Sequence, residues 1–214
     1  MKKWSYVFIL LGIIILAYPQ VNEWYSDWQQ SRLLDEAENE AMAQSTAQPT
    51  NLQSGYAKVN HLLNEESESS TTAPPPVQGE ILGIITIDKI DVKLPIVEGA
   101  TRENMRSAAV HISETDQLGE KGNFAIAAHR AHKYGRLFNR LNEIKVGDII
   151  KIESRGTLFE YKTDNISIVE PTDVSVLESN PNREEITLVT CDPLVNPTHR
   201  LIIHAECIST NISS

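Results

Sequence analysis

The sequence predicts an all-β domain in which seven or eight short strands form a closed or nearly closed barrel with short helices. Short runs rich in β-branched residues recur from Ile81 onward, glycines fall mostly between those runs, and only brief helical patterns intervene. The predicted strands are residues 82–87, 92–97, 123–128, 148–153, 157–163, 166–169, 186–191 and 200–206. The helical patterns lie near residues 102–108, 137–141 and 174–177.

Turn residues separate the predicted strands, while only Gly83 and Pro95 interrupt them. Glycine adopts the backbone angles that tight turns require, so its position between apolar runs indicates where each strand ends. The dividing residues are the segment 88–91 and Gly99, Gly119, Gly122, Gly147 and Gly156. We therefore expect one folded domain over residues 81–214.

An apolar run without charge extends from Trp4 to Tyr18, directly after Lys2 and Lys3. Lysines before the run place the N-terminus in the cytoplasm and the rest of the chain outside. The run is shorter than an average spanning helix, so a cleaved signal peptide is the alternative. No small-residue cleavage site follows it. We expect residues 1–20 to be a cytoplasmic tip and a transmembrane anchor, giving a single-pass cell-membrane protein whose folded domain is extracellular.

A polar segment connects this anchor to the predicted barrel. Residues 21–44 show a helical pattern with Trp24 and Trp28 at apolar positions. From residue 45 the composition shifts to Ser, Thr, Gln, Asn and Pro, and Pro74-Pro75-Pro76 indicates an extended chain. We interpret residues 21–80 as an extracellular helical and disordered linker that acts as a spacer. A weak helical pattern at 56–64 is given no function.

Composition restricts the classes of partner. The chain has 214 residues, of which 41% are hydrophobic, enough for one core and additional segments. Its formal charge of −10 argues against nucleic acid as a partner. Only two cysteines are present, so the domain is not a disulfide scaffold.

Cys191 is the candidate nucleophile because it ends the β-branched run 187–190. A small buried hydrophobic residue and a disulfide with Cys207 are the alternatives. If Arg200 begins an antiparallel neighbour, Cys207 lies roughly 23 Å from the hairpin end. A disulfide needs Cα atoms within about 7 Å, so this pairing is unfavourable. Strand alternation places Cys207 with Leu201 and Ile203, which indicates a core position.

A base and a cation are also available at strand ends. His129 closes the apolar run 123–128, where a rigid scaffold can orient it, and His132 in the following loop is the second choice. Arg200 opens the run after Cys191 and can offer its fixed donors to an oxyanion or a carbonyl. A surface arginine paired with an acid is the alternative for Arg200.

We expect no metal or cofactor from the sequence. His129 and His132 are three residues apart, but no cysteine or carboxylate pair completes a zinc site. The acids Glu114, Asp116 and Glu120 match no EF-hand spacing, and a solvated loop is the simpler interpretation.

With these residues assembled, the chain resembles the sortase family, the membrane-bound cysteine transpeptidases of Gram-positive bacteria. The family's T-L-x-T-C signature is matched in full by residues 187–191. Ala127 and Ala128 match the small-residue pair before the family's histidine, here His129, and Arg200 matches the arginine that opens the next strand.

The resemblance implies an eight-stranded closed sortase-type barrel and a cysteine transpeptidase. Cys191 would attack the threonine carbonyl of a motif like Leu-Pro-x-Thr-Gly in a surface protein, forming a thioacyl-enzyme. His129 would protonate the departing amine, and Arg200 would stabilise the oxyanion. An amine of a peptidoglycan precursor would then accept the protein. Three further residues would bind substrate: Thr190 and Leu188 shape the groove, and Ala127 lies beside the histidine.

Departures from the family pattern bear on the class. Many relatives have glycine where this chain has Ala128, and no Asp-Pro-aromatic lid motif of pilus-building members occurs between residues 51 and 80. Residues 196–201 resemble the pilus class, whereas the single predicted anchor favours class A or D. Class D fits both features and class A comes next.

The alternatives are a pilin-polymerising sortase, a hydrolytic cysteine peptidase and a non-catalytic, membrane-anchored peptide-binding module. Calcium activation through Glu114 and Glu178 is left unassigned because Lys121 lies where the family's calcium site would need another acid.

Overall fold

A computed structural model describes residues 21, 24–25, 27–38, 60 and 79–212. The predicted anchor at residues 1–20 and most of the predicted linker lie outside these residues. Within the described ranges, no helix has the length and hydropathy that crossing a bilayer requires.

Eight strands form a closed barrel, which confirms the predicted fold class. The strands are β1 (Ile81–Ile87), β2 (Val92–Glu98), β3 (Ala109–His111), β4 (Gly122–Ala127), β5 (Ile149–Ser154), β6 (Thr157–Val169), β7 (Glu184–Asp192) and β8 (His199–Ile212). Around the barrel their order is β1-β2-β3-β4-β7-β8-β6-β5, and β5 pairs with β1 to close the sheet. Closure leaves no unpaired strand edge.

Two of the eight strand pairs are parallel, β2 with β3 and β4 with β7. The parallel pairing of β2 with β3 requires a crossover connection, and this connection contains the short helix α2 (Arg102–Ser107). The side chain of Thr101 caps α2 by accepting a hydrogen bond from the backbone N–H of Asn104. The crossover connection between β4 and β7 contains β5 and β6. As a result the C-terminal ends of β4 and β7 lie side by side, although about sixty residues separate them in sequence.

The structure differs from the predicted elements chiefly in three places, and β8 also extends beyond the predicted 200–206 to Ile212. The runs at 157–163 and 166–169 form one strand, β6, whose register with β8 shifts between Thr163 and Asn165. β3 was not predicted, because three fully buried residues are too short for an alternating pattern. The patterns near 137–141 and 174–177 become 3₁₀ helices at Leu141–Glu143 and Ser175–Leu177, each a single turn.

The sheet buries side chains on both faces. The barrel interior holds a cluster that includes Ile85, Ile126, Leu188 and Ile203. A second cluster, here called the outer cluster, covers the outside of β3, β4, β7 and β8. Its members are Ala100, Met105, Val110, Ile112, Ala125, Ala127, Val176, Leu177, Val189, Cys191 and Ile202. Burial on both faces explains why β4 is buried along its whole length and β7 is buried from Ile186 to Cys191, with no alternation of buried and exposed positions.

Part of the N-terminal segment packs on the barrel. Residues 27–38 are helical (α1), and Ala37 is buried. Asp27 forms ion pairs with Lys133 and Arg136, and Glu38 pairs with Lys93 at 2.8 Å. The described part of the predicted linker therefore contacts both β2 and the loop after β4.

Candidate active site

His129 and Cys191 follow matching positions of two neighbouring parallel strands. Ala127 of β4 is the register partner of Val189 of β7, and each candidate lies two residues beyond its member of this pair. β4 ends at Ala127, so His129 has left the strand, whereas Cys191 still belongs to β7. The backbone N–H of Phe138 donates to the carbonyl of His129 at 3.0 Å. The fold thus brings the two predicted residues to the same edge of the barrel.

Arg200 lies directly opposite Cys191 in the antiparallel β7–β8 pair. This is the register expected if Arg200 begins the strand that follows the cysteine. Paired residues of an antiparallel ladder point to the same face, with Cα atoms about 4.5–5.5 Å apart. On that face, Val189 and Ile202 form the next pair. A thiol and a guanidinium therefore share the outer face of the barrel.

Cys191 is 5% exposed and belongs to the outer cluster. Neither cysteine is in a disulfide, and Cys207 packs partly buried against the interior cluster on the other face. Burial raises the pKa of the Cys207 thiol, which does not favour thiolate formation there. Cys191 is therefore the thiol that lies among the candidate site residues.

The guanidinium of Arg200 is fully buried, and Asn60 contributes to its surroundings. Arg200 Nε donates to Asn60 Oδ1 at 2.5 Å, and Arg200 Nη2 donates to the backbone oxygen of Asn60 at 3.4 Å. Arg200 Nη1 donates to the carbonyl of His199 at 2.9 Å. Asn60 also donates from Nδ2 to the carbonyl of Pro171 in the β6–β7 loop. One residue of the predicted linker thus contacts the candidate catalytic arginine.

Three further predicted site residues are fully buried beside these groups. Thr190 Oγ1 donates to the carbonyl of Ala128 at 2.8 Å, so its hydroxyl ties β7 to the residue before His129. Ala127 packs in the outer cluster with Cys191. Leu188 packs inside the barrel. The structure therefore places Thr190 and Ala127 next to the candidate site and Leu188 beneath it, and their role in binding substrate stays a prediction.

The first residue of the T-L-x-T-C run belongs to a buried polar network. Thr187 Oγ1 donates to Asn123 Oδ1 at 2.7 Å and lies 2.9 Å from Nδ1 of His204. Asn123 Nδ2 in turn donates to the carbonyl of Val176 at 3.2 Å. Burial lowers the pKa of His204, which keeps its imidazole neutral. This network fixes the 3₁₀ helix Ser175–Leu177, whose Val176 and Leu177 pack in the outer cluster with Cys191.

Arg130 and Asp192 were not singled out from the sequence. They directly follow His129 and Cys191, and Arg130 Nη1 donates to Asp192 Oδ1 at 2.5 Å. The same nitrogen lies 3.4 Å from the carbonyl of Cys191. A basic and an acidic residue at matching positions were visible in the sequence. Their contact depends on the parallel pairing of β4 with β7, which joins segments distant in sequence.

Three other histidines and acids of the described residues have the following surroundings. His132, the second choice for the base, is exposed in the loop after β4. Asp116 accepts a hydrogen bond from the backbone N–H of Asn123 at 2.8 Å. His111 is buried and pairs with Glu98 at 2.7 Å. Across the described part of the chain, no three His, Cys, Asp or Glu side chains are grouped as a metal site.

Comparison with known proteins gives one consistent family. The Sortase domain model matches residues 85–208, which include His129, Cys191 and Arg200. Sortase A of Bacillus anthracis is 30% identical over 131 residues, 61% of each chain. This chain therefore covers less than two thirds of that relative. Sortase D of Bacillus subtilis is 27% identical over 213 residues, 98% of this chain and 100% of that protein.

Solved structures show the same architecture. The sortase D5 transpeptidase of Clostridium perfringens superposes with a TM-score of 0.62 and 27% identity, covering 84% of this chain and 98% of that one. A sortase C of Clostridium perfringens, solved with the C-terminal cell wall sorting motif, gives a TM-score of 0.58 and 26% identity. That match covers 74% of this chain and 88% of the other.

Proposed function

Because the chain belongs to the sortase family, we propose that it is a cysteine transpeptidase that moves a surface protein onto an amine. The observation that carries this proposal is the direct pairing of Cys191 with a buried Arg200, beside the end of the strand that leads to His129. A nucleophile, a group able to transfer protons and a fixed cation are the parts that acyl transfer needs.

The chemistry follows from these three side chains. The Cys191 thiol passes its proton to His129, and the sulfur attacks a peptide carbonyl, so that the C–S bond forms as the carbonyl oxygen gains negative charge. Donors of the Arg200 guanidinium stabilise that oxygen. His129 gives a proton to the departing amine as the C–N bond breaks, which leaves a thioester. An incoming amine attacks the thioester and passes a proton to His129; the new C–N bond forms, the C–S bond breaks, and His129 returns the proton to the sulfur to regenerate the thiol.

The proposed substrate is a sorting motif that resembles Leu-Pro-x-Thr-Gly, cleaved after threonine. The sortase C whose structure was solved with a cell wall sorting motif supports this class of substrate. The proposed acceptor is an amine of a peptidoglycan precursor. Since Sortase D of Bacillus subtilis matches 98% of this chain, we assign the protein to class D rather than class A.

The proposed location is the cell membrane, with the barrel outside. The apolar run at residues 4–18 and the lysines before it support an N-terminal anchor with a cytoplasmic tip. Substrates and acceptor would then meet the enzyme at the outer surface of the membrane.

Intact-protein mass spectrometry tests the activity directly. The full-length protein in detergent is mixed with a Leu-Pro-Glu-Thr-Gly peptide, with Cys191→Ala as the matched control. We expect an acyl adduct on the wild type alone, and faster loss of that adduct when an amine is added. An adduct lost at the same rate without amine would indicate a hydrolytic peptidase. If no adduct or cleavage occurs with a panel of related motifs, a peptide-binding module becomes the better assignment.

A further inference from the structure

Hydrogen bonds join the ends of β4 and β7 both before and after the candidate catalytic pair, His129 and Cys191. One step before His129, the N–H of Ala128 donates to the carbonyl of Val189 at 3.2 Å, and Thr190 Oγ1 donates to the carbonyl of Ala128. One step after His129, Arg130 Nη1 donates to Asp192 Oδ1. His129 and Cys191 therefore lie between two cross-strand ties.

The Arg130–Asp192 tie is more protected from water than most ion pairs of this protein. The side chain of Arg130 is 9% exposed and that of Asp192 is 23% exposed. By contrast, the partners in the Lys151–Asp88 pair are 37% and 70% exposed. Water screens exposed pairs strongly, whereas a pair of low exposure fixes its two side chains more firmly. Among the described residues, Arg130 Nε has no hydrogen-bond partner, so this buried guanidinium is held through Nη1.

A contact that fixes His129 is important because this residue lies beyond the end of β4. β4 stops at Ala127, and the chain then enters the loop that carries His132 and Lys133. In that loop Lys133 is also bound by Asp27 of α1, which attaches the loop to a second element. Proton transfer requires the histidine within hydrogen-bond reach of the reacting atoms, so a small displacement of the loop affects the reaction.

We propose that Arg130 and Asp192 are positioning residues that hold His129 at its working distance from Cys191. The pair spans the two strand ends one residue beyond each reacting group, and the carbonyl of Cys191 accepts from the same Arg130 nitrogen. Neither side chain takes part in bond making. This inference rests on the proposed transpeptidase function, because that function gives His129 and Cys191 a shared task.

Kinetics on the full-length protein in detergent test this proposal. In Arg130→Gln we expect kcat with the Leu-Pro-Glu-Thr-Gly peptide to fall by about 10–100-fold while KM changes less than about threefold, because a positioning group acts on the chemical step. Asp192→Asn keeps an oxygen acceptor and should lose less than Asp192→Ala. The double variant Arg130→Gln/Asp192→Ala should be no slower than the worse single variant, since both changes remove one contact. Arg183→Gln removes an arginine that pairs at the other end of β7 and serves as the control.

Alkylation of Cys191 by iodoacetamide across pH gives a second measurement that needs no peptide. If the pair positions His129, the pH profile of Arg130→Gln should move toward that of His129→Ala. A profile that coincides with the wild type would overturn the proposal, and so would identical profiles for His129→Ala and wild type. Circular dichroism verifies that each variant is folded, and Asp192→Ala replaces Arg130→Gln in this assay if the latter does not fold. Absence of an acyl adduct on the wild-type enzyme would instead reject the transpeptidase function.

Discussion

The N–H donors of the Arg200 guanidinium have two competing acceptors: Asn60 in this structure and a substrate oxygen in the proposed mechanism. Nε and Nη2 donate to the two oxygens of Asn60, while the proposed mechanism requires donors for the oxygen of a substrate carbonyl. Full burial makes each of these hydrogen bonds stronger than it would be in water. Single substitutions at Arg200 and Asn60 therefore report on different features of the site.

Arg200→Lys should reduce kcat/KM by about 10²–10³, the scale expected when an oxyanion donor is lost. Lysine keeps the charge but replaces a planar set of donors with one ammonium group, which cannot serve several acceptors in fixed directions. Steady-state kinetics with the sorting peptide measure the effect, with Arg183→Lys as the matched control. Wild-type kinetics in Arg200→Lys would remove Arg200 from the mechanism.

Asn60→Ala should raise kcat/KM by about threefold to tenfold. The substitution removes the Oδ1 acceptor from Arg200 Nε, and one hydrogen bond of about 0.7–1.4 kcal/mol corresponds to that range. Asn142, an exposed residue of the 3₁₀ helix Leu141–Glu143, gives the control Asn142→Ala. A decrease in kcat/KM would show that Asn60 holds Arg200 in its active position rather than competing with substrate.

At the scale of elements, the β6–β7 loop is one side of the candidate site. Its 3₁₀ helix Ser175–Leu177 packs in the outer cluster with Cys191, and its Pro171 accepts a hydrogen bond from Asn60. Asn123 attaches this loop to β4 by donating to the carbonyls of Val176 and Glu178. Asn123, a residue of β4, thereby fixes the position of the β6–β7 loop.

Asn123→Ala should lower the free energy of unfolding by about 1–3 kcal/mol, because it removes the hydrogen bonds that the Asn123 side chain makes with buried groups. The partners affected are the carbonyl of Val176 and the hydroxyl of Thr187. Urea denaturation followed by circular dichroism measures the change. Asn165→Ala, at an exposed position of β6, is the control. Equal loss of stability in both variants would show that the network around Asn123 has no special importance.

The closed barrel determines stability at the scale of the whole molecule, and His204 links that stability to pH. Burial lowers the pKa of His204, a nearby Asp164 opposes this effect and Arg183 adds to it. In the unfolded chain the same imidazole takes up a proton near pH 6.5. The contribution of neutral His204 is therefore complete above about pH 6.5 and decreases as the pH falls below that value.

Thermal unfolding between pH 8 and pH 5 should show a larger loss of Tm in the wild type than in His204→Asn. Asparagine places an amide donor near the position of Nδ1, which lies 2.9 Å from Thr187 Oγ1, but it does not titrate. The other titrating groups contribute to both proteins, so the difference between the two curves belongs to His204. Parallel curves would contradict this source of pH dependence.

Several features of the molecule were predictable from the sequence because they depend on neighbouring residues. Strand alternation and the turn glycines predicted the barrel, and a short hairpin predicted that Arg200 lies opposite Cys191. The family signature at residues 187–191 indicated the chemistry. Apolar patterns and tight turns act over a few residues, so their physical basis is visible in the local sequence.

The tertiary structure alone decided the contacts that surround those residues. Asn60 and Arg200 are 140 residues apart in sequence, and Arg130 and Asp192 are 62 apart. No local periodicity records such pairs, because they form only when barrel closure and the parallel β4–β7 crossover bring distant segments together. The sequence thus determined which groups can react, and the closed barrel determined what holds them in place.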